Sequence, residues 1–284
     1  MLAERRGGSL RDLLGGELDV AIEVLEDPDF RRKAHAVRRS FKKARALLRL
    51  LRASFGDAQY HRENEGLRDA GRSLARVRNA ESLHEAYQAL ASRANGRGMP
   101  QRIAQLLRQE LERARLGLSA EEAARDVHAL RLLRRRLDEH ALPSVAQGAR
   151  RGLARTYKKG RRAMERVRRF SSDARLHEWR KQVKYLVNEL DALPAALRRR
   201  LGARQVKRLN KLAELLGDDH DLAMLHRKLA ERLRTTGERR EAKVLRRLDR
   251  HLLHRRESLQ AKSRRLGKRL YRRRPRRFAE RAAG

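Results

Sequence analysis

Histidine, arginine and lysine recur at helical spacing in the run HAVRRSFKKARALLRLLR, from His35 to Arg52. At about 100° per residue, His35, Arg38, Lys42, Arg45 and Arg49 fall on one stripe of a helix. Val37, Phe41, Ala44, Leu48 and Leu51 form a second stripe beside it, spaced to enter a core. The chemistry open to such a cationic row is the binding of an extended anion. Arginine's planar fork pairs bidentately with phosphate, and lysine adds a point charge. A histidine among cations gives up its proton readily and regains it against phosphate. Taken alone, one such helix is more often just a solvated amphipathic helix, because charge runs usually face water.

The row, however, occurs twice. A shift of 142 places His35 on His177, Arg38 on Arg180, Arg39 on Lys181 and Lys42 on Lys184. The apolar stripe follows, with Val37, Phe41, Ala44 and Leu48 falling on Trp179, Val183, Leu186 and Leu190. Without a gap, the same shift lays Leu74–Leu83 on Leu216–Leu225 and puts Asn79 on Asp221. One constant offset joining two separated segments points to tandem duplication of a helical unit of roughly 140 residues. If the two basic helices pack side by side about a pseudo-two-fold axis, their stripes make one trough. Repulsion within it is relieved by a bound anion.

Two further stretches carry groups of chemical interest. Tyr157-Lys158-Lys159-Gly160-Arg161-Arg162 reads as a basic turn whose glycine lets the backbone approach a ligand. Leu216-Gly217-Asp218-Asp219-His220-Asp221 contains a His-Asp pair, which invites a metal-phosphohydrolase reading, but matched His and Asp ligands elsewhere are missing. A structural role is favoured for it, with Gly217 ending one helix and an aspartate capping the next. His251 and His254 form a solvent-facing pair without a third ligand.

The elements that must position these residues read as helices throughout. Leu10 to Glu26 forms a short helix ended by Asp27-Pro28, and the basic helix runs to Phe55. A helical stretch spans Ala58 to Arg93, the Asn95–Gly98 cluster makes a loop, and Pro100 restarts a helix. Ser119 with Glu122 forms a capping box, and Pro143 opens the second half. Ser172 caps the His177 helix, Pro194 ends it, and a turn at Gly217–Asp219 leads into Leu222–Leu233. The expected organisation is one domain over 9–270, with halves of about 9–142 and 143–270. A basic tail at 271–284 is expected to be poorly ordered.

Composition narrows the class. In 284 residues, 73 Lys and Arg stand against 36 Asp and Glu, a formal charge of +37. Such an excess repels itself in a compact fold and calls for an anionic partner: nucleic acid, anionic lipid or polyphosphate. The absence of cysteine rules out disulfides, thiolate metal sites and cysteine nucleophiles, and suits a cytoplasmic protein. No apolar run approaches the roughly 20 residues of a membrane span, and the charged, glycine-broken N-terminus is unlike a signal peptide.

The repeated His-x-x-Arg-x-x-x-Lys helix, the Tyr-x-x-Gly-Arg segment and the Leu-Gly-x-x-x-Asp segment together resemble the CHAD family, the conserved histidine α-helical domain. The likeness covers about residues 9 to 270. It implies an all-α fold of two pseudo-symmetric four-helix bundles binding inorganic polyphosphate in a basic groove, in association with polyphosphate granules. The ligand contacts it implies are His35, Arg38, Lys42, Lys43 and Arg45 in the first half. In the second they are His177, Arg180, Lys181 and Lys184, with Arg161 and Arg162. Arg39, Arg49, Tyr157, Lys158, Lys207 and Lys211 complete the candidate set. The family often has a basic residue where Val187 stands and an aspartate where Asn79 stands. Glu63-Asn64-Glu65 lacks the lysine of the triphosphate-tunnel motif that many relatives carry beside this domain.

The leading expectation is therefore a non-catalytic binding protein for long polyphosphate, without cofactor or metal. The alternative is a nucleic-acid-compacting protein; aromatics are only 4%, which leaves few platforms for stacking bases. A polyphosphate hydrolase or kinase would need metal carboxylates or a nucleophile among the cations, and the nearest acids lie at Asp218–Asp221.

Overall fold

Leucine and alanine at three- and four-residue spacing, broken by short polar segments, fold the chain into helices. The structure, a computed structural model, describes residues 9–30, 33–93, 101–117, 119–139 and 144–283, with backbone alone at 34, 35, 73 and 93. Among the described residues there are twelve helices and no strand. They are α1 (Leu10–Glu26), α2 (Ala34–Phe55), α3 (Asp57–Ala70), α4 (Arg72–Arg93), α5 (Gln101–Leu116) and α6 (Ala120–Asp138). The remaining six are α7 (Val145–Arg169), α8 (Asp173–Ala192), α9 (Ala195–Leu201), α10 (Ala203–Thr235), α11 (Arg239–Leu270) and α12 (Pro275–Ala283). Residues 1–8, the expected loop at 95–98 with Pro100, and Pro143 lie outside the described residues.

Capping follows local chemistry. Ser9 accepts from the Asp12 amide while the Asp12 carboxylate accepts from the Ser9 amide, closing a capping box at the start of α1. The Ser119 hydroxyl accepts from the Glu122 amide at 3.0 Å, and Ser172 from the Arg175 amide at 3.3 Å. These bonds satisfy first-turn amides that would otherwise lack partners.

Helices related by the 142-residue shift meet each other. α2 packs on α8, α4 packs on α10, and Arg93 at the end of α4 falls on Thr235 at the end of α10. The core divides differently from the chain. One buried cluster joins Leu14, Phe41 and Leu48 of the first half to Tyr157, Trp179 and Leu186 of the second. The other joins Leu83, Tyr87 and Leu107 to Leu225, Leu229 and Leu252. Each core thus draws on both halves.

Three expectations are corrected. The turn at Gly217–Asp219 is absent: α10 continues through it. Buried Leu212, Leu215 and Leu216 before the glycine and Leu222 and Leu225 after it hold the helix together. Each contributes about 1.5–3 kcal/mol of burial, against about 1 kcal/mol lost by a mid-helix glycine. Asp219 caps nothing; it accepts from Arg256 Nε at 3.1 Å and Gln260 Nε2 at 3.0 Å on α11.

The basic turn at Tyr157–Arg162 is likewise absent, since these residues lie inside α7. Gly160 is needed there because a Cβ would collide with the Tyr271 hydroxyl. Finally, residues 275–283 of the tail expected to be poorly ordered form α12, which packs on α7 and α9. Phe278, Ala279 and Ala282 are buried, and the Phe278 ring stacks on Tyr157 with centroids 4.2 Å apart. Apolar residues at three- and four-residue spacing outweigh the arginines between them, which face solvent.

Candidate functional site

The amphipathic pattern of α2 and α8 buries Val37, Phe41, Ala44 and Leu48 on one helix and Trp179, Val183, Leu186 and Leu190 on the other. Packing those stripes together turns the adjoining cations toward one another. Lys42 from α2 comes close to Arg180 and Lys184 from α8, Arg38 stands between Lys42 and Arg78 of α4, and α10 adds Asp221. Among the described residues, Arg38, Lys42, Arg180 and Lys184 make no ion pair within 4.0 Å. Arg78 pairs with Glu85 at 3.1 Å.

Burial and the crowding of like charge shift the pKa values of these groups. Desolvation, followed by Arg180 and Lys42, pulls the Lys184 ammonium down to about 8, although the residue as a whole remains exposed. The Lys42 ammonium is lowered by desolvation and then by Arg38, Arg78 and Arg180. Desolvation also raises the Asp221 carboxyl, against the pull of Arg180 and Lys184. Asp221, with Glu81 beside Arg38 and Glu85 paired to Arg78, offsets only part of this charge, and the cluster stays net positive.

A histidine pair borders this cluster. His177 Nδ1 and His220 Nδ1 lie 3.4 Å apart, one from α8 and one from α10. Desolvation and then Arg180 lower the His220 imidazole to about 4, with His177, Arg227 and Lys184 acting in the same direction. His177 is lowered by desolvation, Arg180 and Lys181. Both rings are therefore neutral near pH 7 in the empty protein.

The structure sorts the candidate residues. Arg38, Lys42, His177, Arg180 and Lys184 are brought together. Arg45 lies one turn further along α2, its Nε donating to Asn64 Oδ1 at 3.3 Å. Lys181 pairs with Glu178 at 2.5 Å, and Arg39 is exposed on α2. His35 belongs to α2, but its side chain lies outside the described residues.

The others are placed elsewhere. Lys43 turns to α1 and pairs with Glu17 at 2.7 Å. Arg49 is buried, with Nε 3.3 Å from Glu189 Oε1 and its guanidinium 4.0 Å over the Tyr185 ring. The Tyr157 hydroxyl is buried and donates to the Leu270 and Arg273 carbonyls at 2.9 and 3.2 Å, so it is a strut and not a ligand. Arg161 pairs with Glu165, Arg162 is exposed on α7, and Lys158 faces α12. Lys207 and Lys211 line a separate groove beside Arg198 and Arg199 of α9, with Lys211 held by Glu214 at 2.7 Å.

Sequence reasoning missed Arg78, His220 and Asp221 as members of the cluster. The signal was present: the shift that pairs the basic helices also lays Arg78 on His220. Taking Gly217–Asp219 for a turn hid it. Among the described residues, no group of three or more His, Asp or Glu side chains is gathered to hold a metal. No helix among them is long and apolar enough to cross a membrane.

The family model of the CHAD domain matches residues 11–230. This chain belongs to the CHAD family. Two solved structures share the fold. PptA from Streptomyces chartreusis matches with a TM-score of 0.65 and 19% identity, covering 90% of this chain and 97% of its own. The CHAD domain from the plant Ricinus communis matches with a TM-score of 0.63 and 18% identity, covering 94% of each chain. No curated protein matches the sequence. The CHAD model ends within α10, so α11 and α12 lie beyond the matched residues while completing both cores of this CHAD protein.

Proposed function

We propose that this CHAD protein binds inorganic polyphosphate without acting on it, in the cytoplasm and in association with polyphosphate granules. One observation carries the reading: Arg38, Lys42, Arg180 and Lys184 gather from two helices with no carboxylate within ion-pairing distance among the described residues. A cluster so arranged is destabilised when empty and relieved by a polyanion, and the resemblance of its motifs to polyphosphate-binding relatives names that anion. A bare phosphate chain carries no base or sugar, so it can lie between two helices that pack closely. Arginine would clamp phosphate oxygens in pairs while lysine follows the charge.

Substituting Gln at Arg38, Lys42, Arg180 and Lys184 together should lower polyphosphate affinity on the order of 100-fold or more, at roughly 1 kcal/mol or more per charge-assisted bond. Helicity by circular dichroism should be unchanged. Unaltered affinity in that variant moves the site elsewhere. In a competition assay, polyphosphate should displace duplex DNA at equal phosphate concentration; the reverse result would favour a nucleic-acid ligand. Release of free phosphate on incubation with magnesium or manganese would overturn the non-catalytic assignment.

A further inference from the structure

A second cationic groove lies between α7 and α12. Arg155 and Lys158 of α7 face Arg274, Arg276 and Arg277 at the start of α12, around a groove of ≈ 590 Å³ whose acid is Glu280. Lys158, Arg274, Arg276 and Arg277 make no ion pair among the described residues. Arg155 donates to the Arg49 carbonyl at 2.6 Å, which holds its guanidinium in place without neutralising it.

The groove is built, not incidental. Tyr157 ties its two sides together from beneath α7: the hydroxyl holds the Leu270 and Arg273 carbonyls, and the ring stacks on Phe278. Tyr271 meets the same ring edge-on with centroids 5.0 Å apart. These buried contacts dock the three arginines of the turn and α12 opposite α7 before any ligand arrives. Preorganisation of this kind reduces the ordering cost of binding.

It is also distinct from the first cluster. α12 packs on α7 and α9, whereas the Lys42–Lys184 cluster is made by α2, α4, α8 and α10. The charges acting on Arg155 come from Glu189, Arg52, Tyr60 and Asp57; those acting on Lys184 come from Arg180, Lys42, Asp221 and Arg78. The residues of α12 moreover lie beyond those matched by the family model.

We infer that the α7–α12 groove binds a second stretch of polyphosphate, so that one molecule bridges two strands or two segments of one strand. This rests on the polyphosphate reading of the first cluster. Two sites on one molecule turn a binder into a cross-linker of a long polymer, through the multivalency that raises apparent affinity without new contacts.

The test uses the full chain and polyphosphate of about ten residues, short enough that one chain fills one site. Titration calorimetry of the unmodified protein should give two chains per protomer. The variant R274Q/R276Q/R277Q alters exposed side chains and should keep the wild-type melting temperature. It should bind one chain with unchanged affinity at the first site, and with long-chain polyphosphate its light scattering should fall at least several-fold. The R38Q/K42Q/R180Q/K184Q variant should keep one site. One chain per protomer in the unmodified protein, or two in the α12 variant, overturns the second groove alone. Absence of any binding by the unmodified protein overturns both readings.

Discussion

His177 and His220 approach each other through their Nδ1 atoms, at 3.4 Å, from helices that the sequence separates by 43 positions. At that distance two imidazolium rings repel strongly, and the charges that act on them are mostly positive, although Asp173 and Asp219 line the same groove, each paired with Arg256. Arg180, Lys181 and Glu178 face the pair from α8, and Arg227 and Lys184 add to the positive field. Neutral rings are therefore the resting state, and a polyanion bound there would reverse the preference.

Polyphosphate affinity should consequently rise in two steps as pH falls. The first step belongs to Lys184: its empty-state value of about 8 returns toward the ordinary lysine range on binding, so affinity grows from pH 10.5 down to about 8. The second belongs to His220, whose value of about 4 climbs on binding, so affinity grows again from about 6.5 downward. Long chains keep terminal-phosphate titration negligible. Lys184→Arg should remove the upper step and His220→Gln the lower; a flat profile in the unmodified protein would show that neither group meets the anion.

Arg78 should behave as a ligand although it stands outside the repeated basic helices. Arg78→Gln is expected to weaken polyphosphate binding roughly 5- to 20-fold, about 1–2 kcal/mol for one charge-assisted contact. The log–log salt slope should also become shallower by about 0.7–0.9, the value for one neutralised nucleic-acid phosphate. Arg49→Met serves as the contrast. It disturbs the buried pair with Glu189 and should lower stability in chemical denaturation while leaving the salt slope unchanged.

Phe278 holds α12 on the body of the protein. Phe278→Ala should destabilise by about 3–5 kcal/mol, the usual cost of emptying a buried aromatic site. Polyphosphate affinity at the first cluster should be retained in that variant below its unfolding transition. Tyr157→Phe, which removes the hydroxyl from the Leu270 and Arg273 carbonyls, should lower the melting temperature by a few degrees, consistent with about 1 kcal/mol.

Asp126 offers a stability test remote from both grooves. Desolvation, aided by Glu122, raises its carboxyl from 3.8 to about 7. A group raised in the folded state makes its contribution below its unfolded value and loses it as pH rises to the folded one. Asp126→Asn should therefore gain stability over the unmodified protein progressively between pH 4 and 7, and hold that gain above pH 7. Equal denaturation midpoints at pH 8 would show that the carboxylate is well solvated.

Much of the site was legible because helical spacing is a local property. The stripe of Arg38, Lys42, Arg180 and Lys184 follows from 3.6 residues per turn, and the apolar stripe beside it requires burial wherever a partner exists. What spacing could not show was the partner of each cation. Lys43, Arg49 and Arg161 carry the same charge as Lys42, yet Glu17, Glu189 and Glu165 neutralise them. Tyr157 sits in a basic run but faces inward, because its neighbours across space, Tyr271 and Phe278, come from more than 110 positions away.

Periodicity, charge and the repeated offset thus determined, from residues alone, that the chain is all helical, that it is strongly basic, and which two helices carry the repeated cationic stripe. Those features depend on side chains a few residues apart. The tertiary structure decided the rest: that α10 runs unbroken past Gly217, that Arg78 and His220 join the cluster, and that α12 docks to face Arg155 and Lys158. The reason is that burial and ion pairing are set by which distant helices share a core, and both cores here mix the two halves of the chain.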